Sequence, residues 1–120
     1  MAGTDELAGP DRLSITSALI DGTTVVIVKG EVDHHTTAPL RQALTPPDGL
    51  TRPRTVADLS GVTFMDSSGI NALIAAHQAH GDQGWLRLAG IQPSVQRVLQ
   101  LVGVDTLIAC YPTLDNALEA

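Results

Sequence analysis

Hydrophobic and polar positions alternate from Leu13 onward. Leu13, Ile15, Ser17 and Leu19 interleave with Ser14, Thr16, Ala18 and Ile20, and Asp21-Gly22 separates this run from Thr23-Thr24-Val25-Val26-Ile27-Val28. A period of two on both sides of an Asp-Gly pair predicts a β-hairpin with a type I′ turn. The second strand is apolar on both faces and belongs inside a sheet, whereas the half-polar first strand suits an edge. Thr36-Thr37-Ala38-Pro39 offers a capping threonine and a first-turn proline ahead of Leu40, Ala43 and Leu44 at helical spacing, so a short helix follows. Residues 45–54 (TPPDGLTRPR) read as a loop, because proline and glycine interrupt either periodicity. Thr55 to Leu59 reads as a strand. Ile70, Leu73, Ile74 and His77 then mark one face of a helix that Gly81 can end, and Trp85 to Ala89 form the next strand. Pro93 opens a helix whose Val95, Val98, Leu99 and Val102 fall at i, i+3, i+4 and i+7, with Gly103 at its C-terminal cap. A last strand, Leu107 to Cys110, and a last helix after Thr113 carrying Leu114, Ala117 and Leu118 complete the pattern.

The order is β-β-α-β-α-β-α-β-α. Alternation after an opening hairpin predicts an α/β fold with a mostly parallel mixed sheet and about four helices packed mainly on one face. Residues 1–12 (MAGTDELAGPDR) are polar and without period, and are expected to be a flexible tail ahead of a single domain spanning residues 13–120.

Composition narrows the function. With 43% apolar and 17% charged residues the 120-residue chain can bury one core. Its only aromatic residues are Phe64, Trp85 and Tyr111, too few for a base-stacking or sugar-binding platform. A net charge of −6 with Lys29 as the only lysine argues against a nucleic-acid partner. No apolar run approaches the roughly 20 residues of a membrane helix, and the acidic N-terminus lacks the regions of a signal peptide, so a cytoplasmic protein is expected. Cys110 stands alone, which excludes an intramolecular disulfide, and reads as a small buried apolar residue. The charge, and the lack of an obvious apolar patch, favour a monomer when unbound.

In α/β folds the loops at the C-terminal ends of parallel strands carry reactive groups, because helix N-termini point there. Gly30 to Thr36 and Ser60 to Gly69 are the candidates. In the second, Asp66 as N-cap accepts from the amides of Ser68 or Gly69, and Met65 with Ile70 makes a hydrophobic staple. Ser67 then starts the helix, outside the apolar stripe, near the positive end of the helix dipole. A phosphate added there would gain about −1.5 to −2 charges and could meet first-turn amides without unfolding the helix. The bland alternative is an ordinary capping run.

Enzymatic readings fare less well. Ser67 and Ser68 lack the glycines of a G-x-S-x-G nucleophile elbow, and no phosphate-cradling loop is present. A hydrolase pairing Ser67 with a histidine is the rival from that class. His34 and His35, adjacent in an extended segment, would point to opposite sides. His77 and His80 share one side of a helix but gather no carboxylate or cysteine for a metal. Glu31, Asp33, Asp58 and Asp66 supply acids for a magnesium site, yet Asp58 lies within its strand rather than at the end. No catalytic residue, metal or cofactor is expected.

At these two segments the chain resembles the anti-sigma factor antagonist family of STAS domains. The resemblance spans about residues 13–118 and is strongest in DLSGVTFMDSSGINALIAAH and KGEVDHHTTAPLRQAL. It implies a STAS fold, no enzymatic activity, and phosphorylation on Ser67 by an anti-sigma factor that is itself a serine kinase. It further implies that Glu31 and Asp33, with Asp66, Ser67, Ser68, Gly69 and Asn71, contact that partner. The unphosphorylated form would bind the kinase and free a sigma factor, and a serine phosphatase would reset the switch. A non-switching STAS scaffold or ligand-sensing module is the alternative.

Overall fold

A computed structural model describes residues 13–120. The hairpin consists of β1 (Leu13–Ile20) and β2 (Thr23–Val32), joined through Asp21 and Gly22, both at positive φ (50° and 82°), as a type I′ turn requires. After it come α1 (Thr37–Leu44), β3 (Arg54–Met65), α2 (Ser67–His80), β4 (Trp85–Ala89), α3 (Pro93–Leu101), α4 (Val104–Leu107), β5 (Ala109–Tyr111) and α5 (Leu114–Glu119). The strands form one sheet in the order β1-β2-β3-β4-β5. Within it β1 and β2 are antiparallel, and the pairs β2-β3, β3-β4 and β4-β5 run parallel. This is the mixed sheet that the hydrophobic pattern predicts, with the half-polar strand at the edge and the doubly apolar one inside.

One face of the sheet carries the main core. Val26, Val28 and Val32 of β2, Ala57 and Leu59 of β3, and Leu86 and Leu88 of β4 pack with Leu40 and Leu44 of α1, Ile70, Leu73 and Ala76 of α2, and Val95 and Leu99 of α3. Val104 of α4 and Ile108 join the same cluster. On the opposite face α5 packs, where Ala117 meets Val56 and Ala89, edged by Trp85 and Tyr111. Arg87 anchors that helix: its guanidinium lies 3.6 Å from the Trp85 ring centroid and donates to the Ala117 carbonyl at 2.9 Å.

Several expectations need correction. Among the described residues five helices form rather than about four, because the residues after Gly103 (φ 80°) wind one more turn, α4, where the pattern suggested approach to a strand. The last strand accordingly begins at Ala109 instead of Leu107. Gly30–Val32 and Ser60–Met65 are strand rather than loop. Parallel pairing of β2 with β3 carries on past Val28 and Leu59 through two register shifts, so Glu31 faces Phe64 and Val32 faces Met65. Thr36 does not cap α1 with its side chain; its hydroxyl donates to the Glu31 carbonyl at 2.9 Å. Cys110 is half-buried, not buried, lying beside Ile91, Gln96, Tyr111 and Pro112, and burial pushes its thiol pKa up.

His80 fastens α2 to β3 and makes stability depend on pH. Its Nδ1 lies 2.7 Å from the Ala76 carbonyl, which can only accept, so Nδ1 carries the proton; Nε2, 2.8 Å from the Thr55 hydroxyl, then accepts. Burial pushes the His80 pKa below its ordinary 6.5, against the Ala76 hydrogen bond, with His77 adding to the depression. The unfolded chain therefore binds the extra proton first as pH falls. The stability held by neutral His80 is complete above 6.5 and drains away as pH drops through its lower folded value. Thermal unfolding between neutral pH and pH about 5 should show a steeper decline for the native chain than for His80→Gln, whose amide does not titrate.

Candidate functional site

The carboxyl ends of β2 and β3 hold most of the candidate residues. Asp66 leaves β3 with its N–H bonded to the Val32 carbonyl at 3.1 Å, tying the start of α2 to the end of β2. Its backbone is extended, and its carboxylate accepts from the Ser68 amide at 2.9 Å and the Gly69 amide at 3.4 Å. This is the expected N-cap, and the Ser68 hydroxyl donates to the same oxygen at 2.5 Å. The Ser68 side-chain hydrogen bond holds the Asp66 carboxyl below its ordinary pKa of 3.8, reinforced by the two amides, with burial and Asp33 opposing. Asp66→Ala should cost about 0.5 to 2 kcal/mol in denaturant unfolding, as removal of such caps does. Met65 and Ile70, the expected staple, are both buried in the main core.

Ser67 is the first residue of α2 and is exposed. Among the described residues its hydroxyl has no hydrogen-bond partner, in contrast to that of Ser68. The amides of Ser68 and Gly69 are taken by the Asp66 carboxylate, as the capping expectation has it, and are therefore not free to meet a phosphate. Gly69 is buried. A Cβ at that position would come within 2.6 Å of the Met65 Cγ and 2.7 Å of the Val32 Cγ1, so the absence of a side chain lets α2 start hard against β2. Asn71, one residue beyond Ile70, is exposed.

The other segment is built by Asp33. Its Oδ1 accepts from the amides of His35 at 2.8 Å and Thr36 at 3.2 Å, while its own N–H donates to the Thr36 hydroxyl at 2.9 Å. The Thr37 hydroxyl donates to the Ser68 carbonyl at 3.2 Å and joins the start of α1 to the start of α2. Glu31 is exposed on β2, opposite Phe64. Thus the structure gathers Glu31, Asp33, Asp66, Ser67 and Ser68 at one end of the sheet, with Asn71 one turn along α2 and Gly69 turned inward beneath them.

Histidines lie differently from expectation. His34 and His35 occupy a turn, not an extended segment, so their rings meet at a 41° tilt with centroids 3.9 Å apart instead of diverging. His77 and His80 sit about 15 and 20 Å along α2 from Ser67, by the 1.5 Å rise per residue. Among the described residues no three His, Cys, Asp or Glu side chains are grouped to hold a metal. Sequence reasoning missed one feature of the site. Phe64 is 49% exposed on the final stretch of β3, a large apolar ring open to solvent two residues before Asp66. Its place in D-L-S-G-V-T-F-M after the apparent end of the strand was the available signal.

Comparison with known proteins bears on this geometry. The STAS domain model matches residues 14–117. The anti-sigma-F factor antagonist RsfB of Mycobacterium tuberculosis is 29% identical over 112 residues, covering 93% of this chain and 92% of that protein. An anti-sigma factor antagonist from Mycobacterium paratuberculosis superimposes with a TM-score of 0.79 at 34% identity, covering 94% of this chain and 97% of the other. The phosphorylated form of the Bacillus cell fate determinant SpoIIAA shares the fold, with a TM-score of 0.66 at 21% identity over 88% of this chain and 97% of that one. The match over nearly the whole described chain, on a sheet and helix order found in these structures, places the chain in the STAS domain family.

Proposed function

We propose that the chain is an anti-sigma factor antagonist that binds an anti-sigma factor serine kinase when unmodified, frees a sigma factor, and is switched off by phosphorylation of Ser67. The observation that carries this reading is the unengaged, exposed Ser67 hydroxyl at the first position of α2, beside a carboxylate-rich rim and the exposed Phe64 ring. Such a hydroxyl is open to a kinase, and a helix with its apolar stripe starting at Ile70 need not unwind to receive a phosphate. The names of RsfB and its mycobacterial structural relative support the antagonist role, and SpoIIAA having a phosphorylated form supports the modification.

The reading assigns partner contact to Glu31, Asp33, Asp66, Ser67, Ser68 and Asn71, with Gly69 setting how closely α2 approaches the sheet. It assigns the chain no catalysis: among the described residues no hydrogen bond joins Ser67 to a histidine or other base. Removal of the phosphate therefore falls to a separate serine phosphatase, and the cycle to the cytoplasm. Among the described residues no helix is long and apolar enough to cross a membrane. Incubation with candidate anti-sigma kinases and ATP, followed by peptide mass mapping, should find phosphate on Ser67 and none on the Ser67→Ala protein. Tight binding to an anti-sigma factor without modification at Ser67 would favour a non-switching scaffold instead.

A further inference from the structure

Among the described residues nothing protects the outer edge of β1. Leu13–Ile20 has neither a charged residue nor a proline, whereas edge strands that stay apart usually carry lysine, proline or a bulge. Pairing with β2 fixes which backbone groups look outward. In a hairpin with a two-residue turn the flanking residues, here Ile20 and Thr23, exchange both hydrogen bonds, so Ile20, Ala18, Thr16 and Ser14 aim their N–H and C=O groups at β2. Those of Leu13, Ile15, Ser17 and Leu19 face away, and among the described residues no strand lies beyond them.

We infer that this edge pairs antiparallel with the same edge of a second copy, about a two-fold axis at Thr16. Among the described residues, one register satisfies every outward group of Leu13–Ile20 from within the strand itself. Leu13 lies opposite Leu19 of the second copy and Ile15 opposite its Ser17, all of them outward-bonding residues, while Thr16 faces its own counterpart. Sliding the pairing two residues toward the hairpin turn sets Leu13 against Asp21, which lies outside the strand, and leaves its backbone groups unmatched.

Side chains favour the same register. Leu13 and Ile15 pack against the main core from its rim, and with His35, Thr36 and Pro39 they line an open cleft of about 240 Å³. Leu19 is 74% exposed on that same face. The pairing brings Leu19 of each copy beside Leu13 of the other, where it fills the cleft. Projection and recess both belong to this chain, and the alignment that joins them also completes the backbone hydrogen bonds, which argues for a second copy over a foreign strand. The chain carries −6, yet β1 itself brings no charge to the contact. The composition-based expectation of a monomer gives way here to the chemistry of one strand.

Sedimentation equilibrium of the full chain, from micromolar to sub-millimolar concentration, should show a reversible monomer–dimer equilibrium. Thr16→Lys sets two ammonium groups directly opposite each other across the axis and should raise the dimer dissociation constant roughly tenfold or more. Leu19→Ser should weaken the dimer too, while the remote loop substitution Gln83→Lys should not. Hydrogen exchange on the native chain gives a readout that needs no variant: the Leu13, Ile15, Ser17 and Leu19 amides should slow as concentration rises. A chain that stays monomeric throughout overturns the inference, as does a dimer indifferent to Thr16→Lys and Leu19→Ser or an exchange pattern independent of concentration. Ser67→Asp should leave the dimer intact, because the edge is separated from β3 by β2, so the outcome is independent of the phosphorylation switch.

Discussion

Phosphorylation of Ser67 is expected to weaken the complex with the cognate anti-sigma factor roughly 100- to 1000-fold, equivalent to about 3 to 4 kcal/mol. The cause is desolvation. The start of α2 must lose water when it is covered by a partner, and nearly two added charges with no cation opposite them make that loss costly. Glu31, Asp33 and Asp66 already set carboxylates at this end of the sheet, and their repulsion adds to the cost. Titration calorimetry with native, phosphorylated, Ser67→Ala and Ser67→Asp proteins checks the expectation. Ser67→Ala should bind like the native chain, and Ser67→Asp, with one charge in place of nearly two, should fall between the native and phosphorylated forms. Equal affinity across the four would show that charge here is not the signal.

Gly69→Ala should destabilise the fold although alanine is the better helix former. The new methyl would lie 2.6 Å from the Met65 Cγ and 2.7 Å from the Val32 Cγ1, inside contact distance of two buried side chains. Overpacking of this kind costs about 1 to 3 kcal/mol, offset by about 1 kcal/mol from the helical preference of alanine over glycine. The net loss, up to about 2 kcal/mol, should lower Tm by as much as several degrees in a domain of this size. Larger β-branched residues should do worse: Gly69→Val adds two further methyl groups at a point where the end of β2 and the start of α2 touch. An unchanged or raised Tm for Gly69→Ala would mean that Met65 yields without strain. Because Gly69 lies beneath Ser67, the same variant should loosen the presentation of the hydroxyl before it abolishes folding.

Local chemistry made much of this architecture legible. Asp-Gly between two alternating runs encoded the hairpin, the doubly apolar Thr23-to-Val28 run encoded an interior strand, and Asp66 followed by Ser67, Ser68 and Gly69 encoded a capped helix start. Features set by long-range pairing were not legible. Nothing local makes Ser60-Gly61-Val62-Thr63-Phe64-Met65 extended; its partner β2 does, by continuing through the register shifts after Ile27 and Gly30. A four-residue helix such as Val104–Leu107 is too short to show a period. The hydroxyl of Thr36 could have capped α1 as acceptor or bonded backward as donor, and only the position of the Glu31 carbonyl decides between them. The cap, by contrast, was legible: Asp66 ahead of Ser67 implied a carboxylate on the Ser68 and Gly69 amides, and that is where it lies.

That occupancy determines how a phosphoryl group would be displayed. At an uncapped helix start, free N–H groups could draw the oxygens inward and mute them, giving a mark partly hidden by its own host. Here the Asp66 carboxylate holds the neighbouring amides and repels a second anion. The group would stand away from the helix axis into solvent, its charge undiminished, so that the message stays loud to any visitor while the scaffold that bears it barely changes shape.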